Sequence, residues 1–270
     1  MKKSNILLAV LAVFVMSAVQ AQKKEMDLFT IPLSNPGKPG VLEVEQISGS
    51  ITVVAYDGTE VIVKASISEG LGDCADCGRK GMKKISGSSV NISGEENGNV
   101  VEIHNEIWNK KTDLDIKVPK NFSLKLGTVN DGDIYVEGVN GEMEISNVNG
   151  HITLKDVSGS ATTDTTNGEV KVNFNSIKNG ADMAFSSFNG NVEVTFPSSL
   201  KANVKAKSDM GDIYTDFDMA VIENKPQVER GQSSKGYKVK LEQWVRGTIN
   251  GGGPEMLFKT FNGDVVIKSN

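Results

Sequence analysis

The hydrophobic positions of this chain fall into a nine-residue rhythm between Gly132 and Phe174. The segments GDIYVEGVN, GEMEISNVN, GHITLKDVS, GSATTDTTN and GEVKVNF follow one another there without a break. Each opens on a glycine, at Gly132, Gly141, Gly150, Gly159 and Gly168. Apolar or small residues take the second, fourth and usually the seventh place after it. They are Ile134, Val136 and Val139; Met143, Ile145 and Val148; Ile152, Leu154 and Val157; Ala161, Thr163 and Thr166; Val170 and Val172. Alternation of period two describes a strand with one buried face. Asn-Gly or Asp-Gly before the strand supplies the positive-φ positions of a tight turn. A strand-plus-turn unit repeated at fixed spacing cannot bury its face alone, so neighbours must stack. The pattern predicts an all-β, β-helix-like solenoid of short strands joined by Asn-Gly turns.

The outward residues indicate how many units close one coil. Two units per coil place residues 18 apart in register, so Glu137 meets Lys155, and Tyr135 meets Thr153 and then Lys171. Three units per coil would set Glu137 beside Asp164, a like-charge contact that sheets avoid. The charges favour two. The unit Ala161 to Thr166 carries threonine where aliphatics sit elsewhere. It reads either as ordinary strand formers in a thinner coil or as an array presented for ligand contact.

Outside the strict repeat the alternation loosens. Residues 22–40 carry three prolines and read as a lead-in with at most one edge strand. From 41 to 270 the chain reads as a single elongated solenoid domain. Its strand-like runs include VLEVEQ, SITVVA, EVIVKA, NVVEIH, TDLDIKVP and SLKLGTV before the repeat, and ADMAFSS, NVEVTFP, ANVKAK, YKVKLEQWV, EMLFKT and DVVIKS after it. Residues 69–87 and 219–236 lack period and read as inserted loops. The prolines Pro32, Pro36 and Pro39 are placed to cap one open end. The last strand, DVVIKS, would leave the other end open to self-association.

Residues 1–21 read as a signal peptide: Lys2 and Lys3, an apolar run from Ile6 to Val15, and the small-residue site Val19-Gln20-Ala21. The run is shorter than the ~20 residues of a membrane span, and no later stretch reaches that length. The expected location is periplasmic, cell-surface or secreted. Without that segment the chain has 27 basic and 34 acidic residues, a net charge of −7. Such a balance is poorly suited to nucleic acid, whose binding rests on Lys and Arg contacts to phosphate. Aromatics at 6 % and 28 glycines fit many short strands and turns.

The sequence from Thr112 to Pro119 (TDLDIKVP), Leu124 to Gly127, Gly132-Asp133-Ile134 onward, and Gly251-Gly252-Gly253 followed by FKTFNGDVVIKS resembles the bacterial "putative adhesin" family, DUF4097-like. The likeness runs from about Val41 to Ser269. It implies a β-helix-like fold, export to the envelope and an adhesive or structural role, with no catalytic residues to carry over. The cysteine-bearing loop departs from the family pattern.

Candidate chemistry is sparse. Cys74 and Cys77, in Cys-Ala-Asp-Cys, point in an exported protein to a disulfide stapling the loop. Metal or redox chemistry is the alternative. A zinc site needs about four ligands, however, and His104 and His151 are the chain's two histidines. Arg79, Lys80, Lys83 and Lys84 make the same loop basic, either a solvated surface or a contact for anionic glycans or headgroups. Trp108 and Trp244 could each stack on a sugar ring or pack beneath a loop. Trp108 and the outward Tyr135 join the loop cations as candidate ligand contacts. No G-x-S-x-G, H-E-x-x-H or P-loop motif occurs, and no cofactor is implied. Asp131, Asp133, Glu142 and Glu144 are carboxylates that a polysaccharide-active enzyme could use. The resulting expectation is a non-catalytic, exported, adhesin-like envelope protein. It would contact an envelope or host polysaccharide, a surface protein or a copy of itself. A polysaccharide-active enzyme and a purely structural scaffold are the alternatives.

Overall fold

The computed structural model describes residues 25–68, 91–106, 110–222, 227–233, 236–242 and 244–270. The segment 69–90, with Cys74, Cys77, Arg79, Lys80, Lys83 and Lys84, lies outside the described residues, as do Trp108 and residues 1–24.

The chain begins with β1 (Glu25–Pro32), β2 (Gly40–Ser48), β3 (Ile51–Tyr56) and β4 (Glu60–Ser68). Next come β5 (Ile92–Asn97), β6 (Val100–Asn105), β7 (Lys111–Pro119), β8 (Phe122–Asn130) and β9 (Ile134–Glu137). The strict repeat supplies β10 (Asn140–Asn149), β11 (Ile152–Asn167) and β12 (Val170–Ile177), followed by β13 (Met183–Asn189) and β14 (Val192–Phe196). The C-terminal part contains β15 (Ala202–Ser208), β16 (Ile213–Thr215), β17 (Met219–Ile222), β18 (Gln227–Ser233), β19 (Gly236–Glu242), β20 (Val245–Ile249), β21 (Glu255–Asn262) and β22 (Val265–Ser269). No helix occurs among the described residues.

These strands form two facing layers joined through β11, which turns from one layer into the other. One layer runs β5-β6-β2-β8-β10-β11-β13-β21-β15-β20-β17. The other runs β1-β4-β7-β3-β9-β11-β12-β14-β22-β16. Ladders in the repeat are parallel and offset by 18 residues, as Ile134↔Ile152 and Ile152↔Val170. Two units therefore close one coil. Thr153 is in register with both Tyr135 and Lys171, and Lys155 Nζ lies 2.8 Å from Glu137 Oε1.

The inward set of both layers makes one apolar core, dominated by short aliphatics with Phe122, Phe174, Phe185, Phe196 and Phe258 fully buried. Phe174 and Phe196 stack at 5.3 Å in one layer and meet Phe185 edge-on from the other. Each buried Val or Ile contributes about 1.5–3 kcal/mol of transfer free energy.

The seventh place of the nine-residue unit corrects the simple pattern. Val139 and Val157 are buried there, but Val148 and Thr166 are exposed, while Asn147 and Thr165 at the sixth place point inward. The two corners of the coil differ. After β9 the chain turns through Gly138 at φ +72° to reach Val139, and within β11 it bulges through Asp156 at φ +53° to reach Val157. Each inserts a residue that reverses the facing.

Polar residues at the opposite corner, all buried except the half-buried Ser208, tie each coil to the one beneath. Thr128 Oγ1 donates to the Gly49 carbonyl at 2.9 Å, Asn147 Nδ2 to Gly132 at 3.0 Å and Thr165 Oγ1 to Gly150 at 2.9 Å. Ser187 Oγ donates to Gly168, Thr260 Oγ1 to Gly190 and Ser208 Oγ to Gly263, all within 2.8 Å.

The stacking order departs from the chain order at both ends. The coil β2/β3 sits between β6/β7 and β8/β9, and the coil β21/β22 sits between β13/β14 and β15/β16. The last strand, β22, is therefore interior rather than an open edge, which removes the sequence-based reason for dimerisation there. The outermost strands are β5 and β17 in one layer and β1 and β16 in the other, with Pro32 closing β1. Residues 219–236 are likewise not one loop. Met219–Ile222 adds a strand beside β20, and β18 pairs with β19 as a hairpin.

Candidate functional site

The outward face of the β2-to-β15 layer carries three parallel rows of side chains, because every coil presents the same strand position ~4.8 Å above the last. The first row is Glu102, Glu43, Lys125, Glu144, Thr162, Ala184, Leu257 and Lys205. The second is His104, Glu45, Gly127, Ser146, Asp164, Ser186, Lys259 and Lys207. The third, at the corner, is exposed and apolar. It holds Ile47, Val129, Val148, Phe188 and Phe261, interrupted by Thr166. Beside it the corner asparagines form a ladder in which Asn149, Asn167 and Asn189 each donate to the residue one coil below, at 2.8–3.0 Å.

Toward the C-terminal end these rows form a groove of about 470 Å³. Its floor is the ladder Asp164, Ser186, Lys259 and Lys207. One wall is the pair Phe188 and Phe261, whose rings stack 4.8 Å apart and 3° from parallel. Both occupy the place before an Asn-Gly corner in adjacent coils, so the layer spacing itself sets the stack. Phe188 remains 51 % exposed. The other wall is Trp244, at the start of the antiparallel strand β20, with Lys205 Nζ 4.6 Å and Lys207 Nζ 5.8 Å from its ring. Lys207 pairs with Asp209 at 3.0 Å, and Ser186 Oγ donates to Asp164. Lys259 is exposed and has no ion pair among the described residues.

Aromatic walls, hydroxyls on the floor and an unpaired ammonium suit stacking on a ring with charged substituents. A groove of this size takes one or a few such rings.

Of the residues singled out from sequence, Tyr135 lies on the opposite layer, away from the groove. Its hydroxyl donates to Glu137 Oε2 at 2.7 Å, and that bond to a carboxylate raises the phenol's pKa. Hydrogen bonds from Lys155 and Tyr135 in turn hold the Glu137 carboxyl below the usual range. The four carboxylates considered for catalysis are not brought together. Asp131 sits at a corner with φ +55°, and Asp133 Oδ1 accepts the His151 N–H at 2.8 Å as a corner brace. Glu142 and Glu144 lie on the β10 face, Glu142 near Lys178. Among the described residues no group of three or more His, Cys, Asp or Glu side chains is placed to hold a metal ion. Trp244 was visible in the sequence, but Phe188 and Phe261 were missed. Their signal was the repeated triplet Phe-Asn-Gly.

A family model described as Toastrack DUF4097 matches residues 115–250. Among solved structures, the chain is similar to "a putative cell adhesion protein from Clostridium sporogenes ATCC 15579". That protein shares 13 % identity at a TM-score of 0.45, covering 92 % of this chain and 100 % of that one. It is also similar to a "putative adhesin" from Parabacteroides merdae ATCC 43184, with 10 % identity and a TM-score of 0.28 over 91 % and 97 % of the two chains. A "putative adhesin" from Bacteroides fragilis NCTC 9343 gives 10 % identity and 0.27 over the same shares. No curated protein matches the chain.

Proposed function

The chain belongs to the Toastrack DUF4097 family, and from that premise we propose that it is an exported, non-catalytic, adhesin-like protein that binds an acidic polysaccharide in the groove between Trp244 and the Phe188–Phe261 pair. The observation that carries this reading is the groove itself. A saccharide ring presents an apolar C–H face that can lie on an aromatic wall. A carboxylate or sulfate on the same ring would pair with Lys259. Lys207 offsets the charge of Asp209, while Asp164 accepts a hydrogen bond from Ser186 and keeps its charge beside Lys259. The leader-like sequence of residues 1–21 supports export.

The test is a screen of the purified protein against neutral and acidic glycans. The expected result is retention of uronic-acid or sulfated chains, lost in a Phe188→Ala, Phe261→Ala double variant that keeps the wild-type unfolding midpoint. Equal retention of neutral glycans, or undiminished binding by the double variant, would sink the reading.

A further inference from the structure

The two inner outward rows are polarised along the stack. Toward β6 they carry Glu102, Glu43, Glu45 and Glu144, with Lys125 among them. Toward β15 they carry Lys259, Lys205 and Lys207, and Arg246 of β20 continues the first row. An acidic half and a basic half on one face are complementary to the same face turned end for end.

We infer that this face pairs with a second copy of the chain, its stacking direction reversed, about a two-fold axis that lies parallel to the strands between β10 and β11. Such an axis keeps each row opposite itself while inverting the order of coils. Glu45 then meets Lys259 of the second copy, and Glu102 meets Lys205. The apolar corner row also meets itself, with Ile47 against Phe261 and Val129 against Phe188. Each contact occurs twice, as an isologous interface requires. Charge sets the orientation, because a parallel face-to-face pairing would set Glu opposite Glu and Lys opposite Lys.

The area is sufficient. Eight strands at ~4.8 Å and seven residues at ~3.3 Å give a face of roughly 38 Å by 23 Å, about 900 Å² per partner, close to the size of a standard specific interface. Pairing goes beyond the saccharide reading and competes with it, since the groove opens on the same face. A copy bound face to face leaves no room for a glycan over Lys259.

The experiment is sedimentation equilibrium of the purified protein without glycan. A dimer is expected at low salt, with its dissociation constant rising at least tenfold in 1 M NaCl as the ion pairs are screened. The Glu45→Lys, Glu102→Lys variant and the Lys205→Glu, Lys259→Glu variant should each be monomeric. Mixed in equal amounts they should form a heterodimer, because each supplies the charge that the other's face now lacks. Recovery in the mixture also shows that both variants fold. A wild-type monomer at every salt concentration would overturn the inference. A dimer that survives either charge reversal would do the same, as would a mixture that fails to associate. Glycan retention is measured separately, on the monomeric Glu45→Lys, Glu102→Lys variant, whose groove residues are unchanged; its loss there would count against the saccharide reading and leave the pairing untouched.

Discussion

A Cβ placed on Gly150 would sit 2.0 Å from the carbonyl oxygen of Gly132, one coil below. The same approach recurs up the corner: Gly168 on Gly150 at 2.0 Å and Gly190 on Gly168 at 2.1 Å. Gly150 does not have a positive φ, so closeness of backbones rather than handedness demands glycine there. Gly150→Ala should therefore lower stability by about 2–4 kcal/mol, because both coils must part to admit a methyl group. Gly127→Ala is the control. Its Cβ would meet only Ser146 Oγ at 3.4 Å and Glu45 Cγ at 3.6 Å, and a strand gains from losing glycine's entropy. It should leave stability unchanged or raise it by up to about 1 kcal/mol. Urea unfolding of the two variants separates them, and equal midpoints would contradict this account of the corner.

The threonine-rich coil makes two opposite predictions. Thr165 Oγ1 donates to the Gly150 carbonyl, so Thr165→Val should cost about 1 kcal/mol. Thr163 is just as buried, at 1 % exposure, yet its Oγ1 has no hydrogen-bond partner. Thr163→Val keeps the shape and removes an unsatisfied hydroxyl, which should stabilise by about 1 kcal/mol. Differential scanning calorimetry would show melting temperatures moving in opposite directions. A fall for Thr163→Val would mean that its hydroxyl finds a partner in solution.

The coil was legible in the sequence because its determinants are local. Gly141 and Gly159 mark a corner, Ile145 and Thr163 mark the inward face, and the charges of Glu137 and Lys155 set the 18-residue register. The seventh place misled because Gly138 and Asp156 reverse the facing at one corner only. The groove was not legible because its parts lie far apart in the chain. Phe188 and Phe261 become neighbours only because the terminal coil β21/β22 inserts between β13/β14 and β15/β16. Trp244 reaches the groove only because β20 pairs antiparallel with β15. Neither choice leaves a trace in local periodicity, since Phe-Asn-Gly would read alike in any stacking order.

The pair Glu137 and Lys155 should contribute over a window of pH. The Lys155 and Tyr135 hydrogen bonds depress the Glu137 carboxyl, so its stabilisation exists above the unfolded carboxylate pKa and disappears as pH falls through the lower folded value. Lys155 is shifted upward by its bond to Glu137, and Tyr135 upward by its bond to the same carboxylate. Their contributions are complete below the unfolded pKa values and are lost as pH rises through the folded ones. Wild type and Glu137→Gln should therefore differ most between about pH 5 and pH 9, and converge at both extremes. The check is the urea midpoint difference across that range. A difference independent of pH would mean that packing, not charge, is what Glu137 supplies.

Trp244 offers a direct reading of the groove. It is half-buried, with Lys205 and Lys207 over its ring, so a saccharide stacking there must change its surroundings. In a Trp108→Phe background Trp244 is the chain's sole tryptophan. Titration with an acidic oligosaccharide should shift and quench its emission, saturably. Lys259→Ala should weaken binding about tenfold, or ~1.4 kcal/mol, and flatten its dependence on salt, because one ion pair is gone. Phe261→Ala should weaken binding to a similar degree while leaving the salt dependence intact, because it removes stacking surface and no charge. That contrast assigns each wall its role. If both variants lowered the salt dependence equally, the aromatic pair would be acting only by holding Lys259 in place.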